Sequence, residues 1–153
     1  MIVRPTTESD VRAVAQLYAD VASERRWIGG EPPVDVEARA ARWSLEGDFV
    51  AEDDGEIVGS IHVHASGHGF GEIGMMVAQD RRGRGVGTAL MEAAIAWSRE
   101  QGLHKLILSV FAHNEPAIAL YRKLGFVEEG RRPRQYRRRS GELWDSVEMG
   151  LFL

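Results

Sequence analysis

The chain has no cysteine. That absence excludes a disulfide framework, a thiolate nucleophile and any cysteine-ligated metal. Long apolar runs are missing too: none approaches the roughly 20 residues that cross a bilayer as a helix, so no membrane partner is expected. Positive charge is not in excess. Nineteen Lys and Arg face 23 Asp and Glu, a net charge of −4, which argues against a molecule built as a whole for nucleic acid. A signal-peptide pattern is also lacking. Met1-Ile2-Val3-Arg4-Pro5 reads as a strand, and the cytoplasm is the expected location. No internal repeat or low-complexity linker interrupts the sequence.

What is present is one domain's worth of chain. Its 153 residues are 44% hydrophobic and 27% charged, the composition of an ordinary soluble domain long enough to bury a core. We therefore expect a single domain over residues 1–153. Thr7 caps a predicted helix over 8–23, with Val11, Val14, Ala15, Leu17, Tyr18 and Val21 on one side. Arg25 to Pro33 is too rich in glycine and proline to continue it. A second helix is predicted over 35–45. Strands follow at 48–52, 57–65 and 70–77, the first two joined by a tight turn at Asp53-Asp54-Gly55-Glu56. Then come a helix over 85–101, a buried-type strand at 105–110, a helix ending at Gly125, and strands near 126–139 and 143–152. The order β-α-α-β-β-β-α-β-α-β-β implies a mixed α/β sheet with helices on both faces.

The segment Arg82-Gly83-Arg84-Gly85-Val86-Gly87-Thr88 lies between an apolar strand and a helix. Amides at a helix N-terminus lack partners inside the helix, and the helix dipole adds partial positive charge. Glycines let that backbone approach a ligand closely. With Arg82 and Arg84 alongside, the segment reads as a pocket for phosphate oxygens. Some thirty residues on, Asn114 is placed as an N-cap, Pro116 sits in the first turn, and Ile118, Leu120, Tyr121 and Leu124 recur at helical spacing before Gly125.

Together, Arg82-x-x-Gly85-x-Gly87 and Asn114-x-x-Ala117-x-x-Leu120-Tyr121-x-x-Leu124-Gly125-Phe126 resemble the two motifs of the GCN5-related N-acetyltransferase (GNAT) family. The C-terminal pattern from Arg137 to Met149 is similar to the branch that holds amino-acid, phosphinothricin-type and polyamine acetyltransferases, and some ribosomal-protein ones. The resemblance implies the GNAT acyl-CoA fold: a mostly antiparallel sheet splayed between its fourth and fifth strands. It implies acetyl-CoA as co-substrate, held by Met76, Val77, Arg82, Gly83, Arg84, Gly85, Val86, Gly87, Thr88, Asn114, Ala117 and Tyr121.

Such a reaction moves an acetyl group from a thioester to a primary amine. The amine must lose a proton, the oxyanion needs a donor and the thiolate needs a proton. Without cysteine, an acyl-cysteine route is closed and direct attack in a ternary complex is expected. The resemblance makes Tyr121 the general acid, although a core aromatic would show the same spacing. It makes Glu72 the base, or a residue that orients the ammonium. His62 and His64 share one strand face and are lesser candidates. The backbone near Met76 or Val77 is the expected oxyanion donor. Arg26, Trp27, Glu72 and Tyr136, with Trp144 nearby, are the expected acceptor-binding residues. No carboxylate spacing supports a metal at His62, His64 and His68, and none is expected.

The acceptor is read as a small-molecule amine, with a protein N-terminus as the alternative and a non-catalytic acyl-CoA sensor as another. Arg131, Arg132, Arg134, Arg137, Arg138 and Arg139 crowd one hairpin, either as an anion-binding face or as solvated arginines paired with acidic residues. With only Tyr136 interleaved, a nucleic-acid role is not expected. The apolar terminal strand could pair across a homodimer.

Overall fold

Alternation in Val58-Gly59-Ser60-Ile61-His62-Val63-His64 assigns successive side chains to opposite faces of a sheet. The computed structural model describes residues 1–153 and shows where those faces go. Strands β1 (Ile2–Pro5), β2 (Asp48–Asp53), β3 (Glu56–Ala65), β4 (Phe70–Val77), β5 (Lys105–Phe111), β6 (Val127–Arg137) and β7 (Leu143–Phe152) form one sheet. Their order is β1-β2-β3-β4-β5-β7-β6. Ile61, Val63 and Ile73 are buried together with Val86, Leu90 and Ala94 of α3 (Val86–Glu100), and with Ile118 and Tyr121 of α4 (Glu115–Lys123). Each such aliphatic side chain contributes about 1.5–3 kcal/mol by leaving water. The other face carries α1 (Val11–Ser23), and the short α2 (Val36–Ala40) packs against α1.

All strand pairs are antiparallel except β4 with β5. That parallel pair is brief. Phe70, Gly71 and Glu72 match Lys105, Leu106 and Ile107, and there the pairing stops. β4 runs on to Val77 and β5 to Phe111 unpaired with each other, so the sheet opens as a V toward the N-termini of α3 and α4. The expected splay lies between the fourth and fifth strands.

Two helices are shorter than the sequence pattern predicts. The first turn after Thr7 is a 3-10 turn, Glu8–Asp10, because the Asp10 carboxylate accepts from both the Thr7 amide and its hydroxyl at 2.8 Å. The second helix, predicted to residue 45, ends at Ala40. Arg42 and Trp43 donate their amides three residues back, to Arg39 and Ala40, which tightens and closes the helix. Trp43 then turns inward to donate its indole N–H to Asp48 at 2.9 Å.

Candidate active site

The open V is a continuous groove with two arms that meet at Tyr121, Asn114, Met75, Met76, Trp27 and Ile28. One arm runs to the glycine loop and encloses about 320 Å³. Met76, Val77, Arg82, Gly83, Gly85, Val86, Gly87, Thr88, Asn114, Ala117 and Tyr121 all line it, which brings together every sequence-selected coenzyme residue except Arg84. Arg84 is exposed and stands off this wall. Gly83 and Gly85 have φ of +72° and +84°, with open space where a Cβ would stand. A side chain there would cost roughly 1–2 kcal/mol of backbone strain and would intrude on the groove.

Arg82 is already engaged. Its guanidinium donates to both oxygens of Glu24, at 2.7 and 2.6 Å, and its Nε donates to the Val77 carbonyl at 3.0 Å. Arg82 in turn holds the Glu24 carboxyl below the usual carboxylate range. Asn114 accepts the Ala117 amide at 3.3 Å, so it is an N-cap that also faces the groove.

The ladder fixes which amides point into the V. The Ala78 amide bonds the Val58 carbonyl, and the Ser66 amide bonds the Phe70 carbonyl. In an antiparallel ladder such bonds recur every second residue, so even-numbered residues of β4 bond β3. Met76 therefore turns its amide to β3, whereas Met75 and Val77 turn theirs toward the opening.

Tyr121, at the junction of the arms, is 7% exposed. Burial alone pushes its phenol up to about 12, so it stays protonated at any physiological pH.

The second arm encloses about 240 Å³ and is walled by α1, α2, the loop after α1 and strands β3, β4, β5 and β6. Trp27 and Tyr136 line it, as the sequence suggested. Arg26 and Glu72 do not. Arg26 instead lies over the Trp27 ring, 4.5 Å from its centroid, and gives its carbonyl to His113 Nε2 at 2.7 Å. Glu72 is exposed near the paired end of β4, opposite His64. His62 stands on the wall in its place, its ring packed so closely on Gly74 that a Cβ there would collide. The ring is reached from the groove yet crowded by protein. That desolvation, and then the Arg39 charge, push His62 below its ordinary value, with the Glu72 charge opposing. Tyr18, Arg39, Trp43, Ser60, Ser109 and Phe111 complete the wall and were not selected from sequence. Only the packing of α1 and α2 on the sheet shows them. No group of three His, Asp or Glu side chains is placed to hold a metal ion.

The arginine hairpin is largely internal wiring. Arg131 pairs with Asp145 at 2.7 Å, and Arg132 with Glu148 at 3.7 Å. Arg138 is buried, donates to the Ile28 and Gly29 carbonyls, and stacks 4.4 Å from the Trp144 centroid. Trp144 thus braces the arm from behind without lining it. Arg139 gives its backbone amide to Glu31 and its guanidinium to the Pro32 carbonyl. These bonds tie the loop after α1 to the last hairpin.

A sequence model of the acetyltransferase (GNAT) family matches residues 14–126. The L-methionine sulfoximine/L-methionine sulfone acetyltransferase of Pseudomonas aeruginosa is 30% identical over 142 residues, covering 86% of this chain and 83% of that protein. The spermidine N(1)-acetyltransferase of Escherichia coli is 32% identical, covering 84% and 73%. The crystal structure of a ribosomal-protein-alanine N-acetyltransferase from Brucella melitensis superposes over 100% of both chains with a TM-score of 0.89 and 30% identity. A family match over most of the length, laid on a sheet that opens at the glycine loop, establishes that the chain belongs to the GNAT family and is an acetyl-CoA-dependent N-acetyltransferase.

Proposed function

We propose that the enzyme acetylates a small primary amine, bound in the arm beside β3, by direct attack on acetyl-CoA lying along the glycine loop. The observation that carries this reading is the junction of two arms at one buried, protonated phenol. Pyrophosphate oxygens lie on the amides that open α3. The Val77 amide faces the thioester oxygen and stabilises the charge that develops there. The amine attacks the carbonyl carbon, the C–S bond breaks, and the Tyr121 hydroxyl gives its proton to the departing sulfur.

The amine's own proton goes to His62, which lines the arm and is held receptive as the neutral ring. Glu72, outside the wall, tunes that ring through its charge. An arm of about 240 Å³, bounded by a loop that Arg138 and the Arg139 amide tie down, suits a compact metabolite better than a folded protein surface. The amino-acid analogues acetylated by the Pseudomonas relative are of that size.

Thiol release from acetyl-CoA tests the reading. The panel contains amino acids, polyamines, aminoglycosides and N-terminal peptides. Release with a small amine is the expected result. Release with peptides alone would transfer the assignment to protein N-termini.

A further inference from the structure

The second arm carries one permanent charge, and it is positive. Of its nineteen lining residues, Arg39 is the sole Arg or Lys, and none is Asp or Glu. An arm meant for a polycation needs carboxylates, because every ammonium group brought in from water must be compensated. This arm supplies none and would repel such a ligand.

Arg39 is also uncommitted. Its guanidinium carbon lies 3.2 Å from the centroid of the Tyr18 ring and 5.4 Å from that of Trp43, so the charge rests against aromatic faces. Its buried Nε–H has no hydrogen-bond partner. The acidic residues around α2 are occupied elsewhere. Glu31 accepts the Arg139 amide and faces Arg138, Asp35 caps α2 through the Ala38 amide, and Glu37 pairs with Arg12. The Nε–H groups of Arg81 and Arg138 are likewise unpartnered, but terminal nitrogens of both are engaged, whereas no hydrogen bond or ion pair takes any nitrogen of the Arg39 guanidinium. An arginine held against aromatic rings is positioned to offer its planar fork to a carboxylate, which it can bind bidentately.

We propose that Arg39 is a specificity-determining residue, binding an anionic group of the acceptor, a carboxylate in the simplest case, and so selecting amino acids over polyamines. The inference rests on the reading of this arm as the acceptor site. It gives the acceptor two ends: an amine directed to Tyr121 and His62, and a carboxylate on Arg39. The same polarity excludes spermidine-like substrates despite the likeness to a spermidine acetyltransferase.

The test compares L-methionine sulfone with its carboxamide, and spermidine with both, in the wild type and in Arg39→Gln. A charge-assisted hydrogen bond corresponds to about 10- to 100-fold in kcat/KM. The expected result is that Arg39→Gln lowers the acid-to-amide ratio by that factor, mainly through KM for the acid, while acetyl-CoA affinity by calorimetry is unchanged. The two acceptors differ in amine basicity, but that difference is common to both enzymes and cancels in the ratio. An unchanged ratio, or spermidine as the preferred acceptor of the wild type, overturns the role of Arg39 and leaves the small-amine reading standing. Turnover of peptides alone overturns both.

A second measurement needs no variant. Inhibition of the wild type by 4-(methylsulfonyl)butanoate is expected to be at least tenfold tighter than by its amide. Equal inhibition overturns the proposal.

Discussion

Arg82 and Glu24 are joined by two hydrogen bonds across 58 residues of sequence, and the pair links the two arms of the groove. Arg82 belongs to the glycine loop. Glu24 closes α1 and also accepts the Trp27 indole N–H at 3.0 Å, fixing a side chain of the acceptor arm. Glu24 thus spends negative charge beside the coenzyme arm to hold Trp27 and Arg82 in place. Glu24→Gln removes that charge and weakens the Trp27 anchor. We expect acetyl-CoA to bind about two- to fivefold tighter, the scale of a partly exposed pair, while acceptor KM rises severalfold. Calorimetry and steady-state kinetics separate the two. Weaker acetyl-CoA binding would show that Glu24 prepares Arg82 for the coenzyme instead of competing for it.

Tyr121 supplies a proton only if the phenol is protonated, and burial guarantees that up to about pH 12. Tyr121→Phe keeps the packing against Phe126, 5.8 Å away between ring centroids, and removes only the hydroxyl. Turnover should fall about 10²-fold or more, with acetyl-CoA affinity and melting temperature nearly constant. No alkaline limb in the physiological range should trace to this residue. Turnover within threefold of wild type would remove Tyr121 as the acid.

The coenzyme arm was legible because its signals are local. The glycines with positive φ, the N-cap Asn114 and the helical spacing to Tyr121 lie within short segments, and local backbone chemistry places them. The order of elements along the chain was legible from alternation and turn residues, whereas the insertion of β7 between β5 and β6 comes from long-range pairing. The acceptor arm was not, because its wall is assembled from distant elements. Arg39 lies on a helix whose predicted length was too great, and its place on the wall depends on α2 packing against α1, where it meets Tyr18. Of the two loop residues selected, Trp27 lines this arm and Arg26 does not, since a loop carries no periodicity to show which side chain turns inward. Arg82 was read for its charge alone, and its pairing with Glu24 was not visible because Glu24 is 58 residues away.

Acid stability should trace to Asp10. Its carboxylate accepts both Arg4 terminal nitrogens, at 2.7 and 2.9 Å, as well as the two Thr7 donors. Arg4 bonding leads in holding its carboxyl well below the ordinary value. A carboxyl depressed in the folded state stabilises above its unfolded pKa, near 3.9, and that stabilisation is lost as pH falls further. Asp10→Asn should cost about 2 kcal/mol at pH 7, seen as a lower denaturation midpoint. The difference from wild type should shrink progressively below pH 4. A constant difference down to pH 2 would mean that the loss is packing and not charge.

His62 and Glu72 can be told apart by pH. Folded His62 binds fewer protons near pH 6 than it would unfolded, so its contribution to stability rises with pH through 6.5, opposite to a histidine with an acidic partner. As the base it must be neutral, so kcat/KM for the acceptor, which reports the free enzyme, should show an acid limb from this residue with its midpoint below 6.5. His62→Gln should remove that limb and lower kcat about 10²-fold. Glu72→Gln removes the charge that opposes the depression. It should shift the limb to still lower pH with less than a tenfold change in kcat. The opposite pattern, a surviving limb in His62→Gln and its loss in Glu72→Gln, would return the base role to Glu72 acting through water. That outcome would also require the exposed carboxylate to reach the groove when both substrates are bound, because in this structure His62 stands on the wall and Glu72 does not.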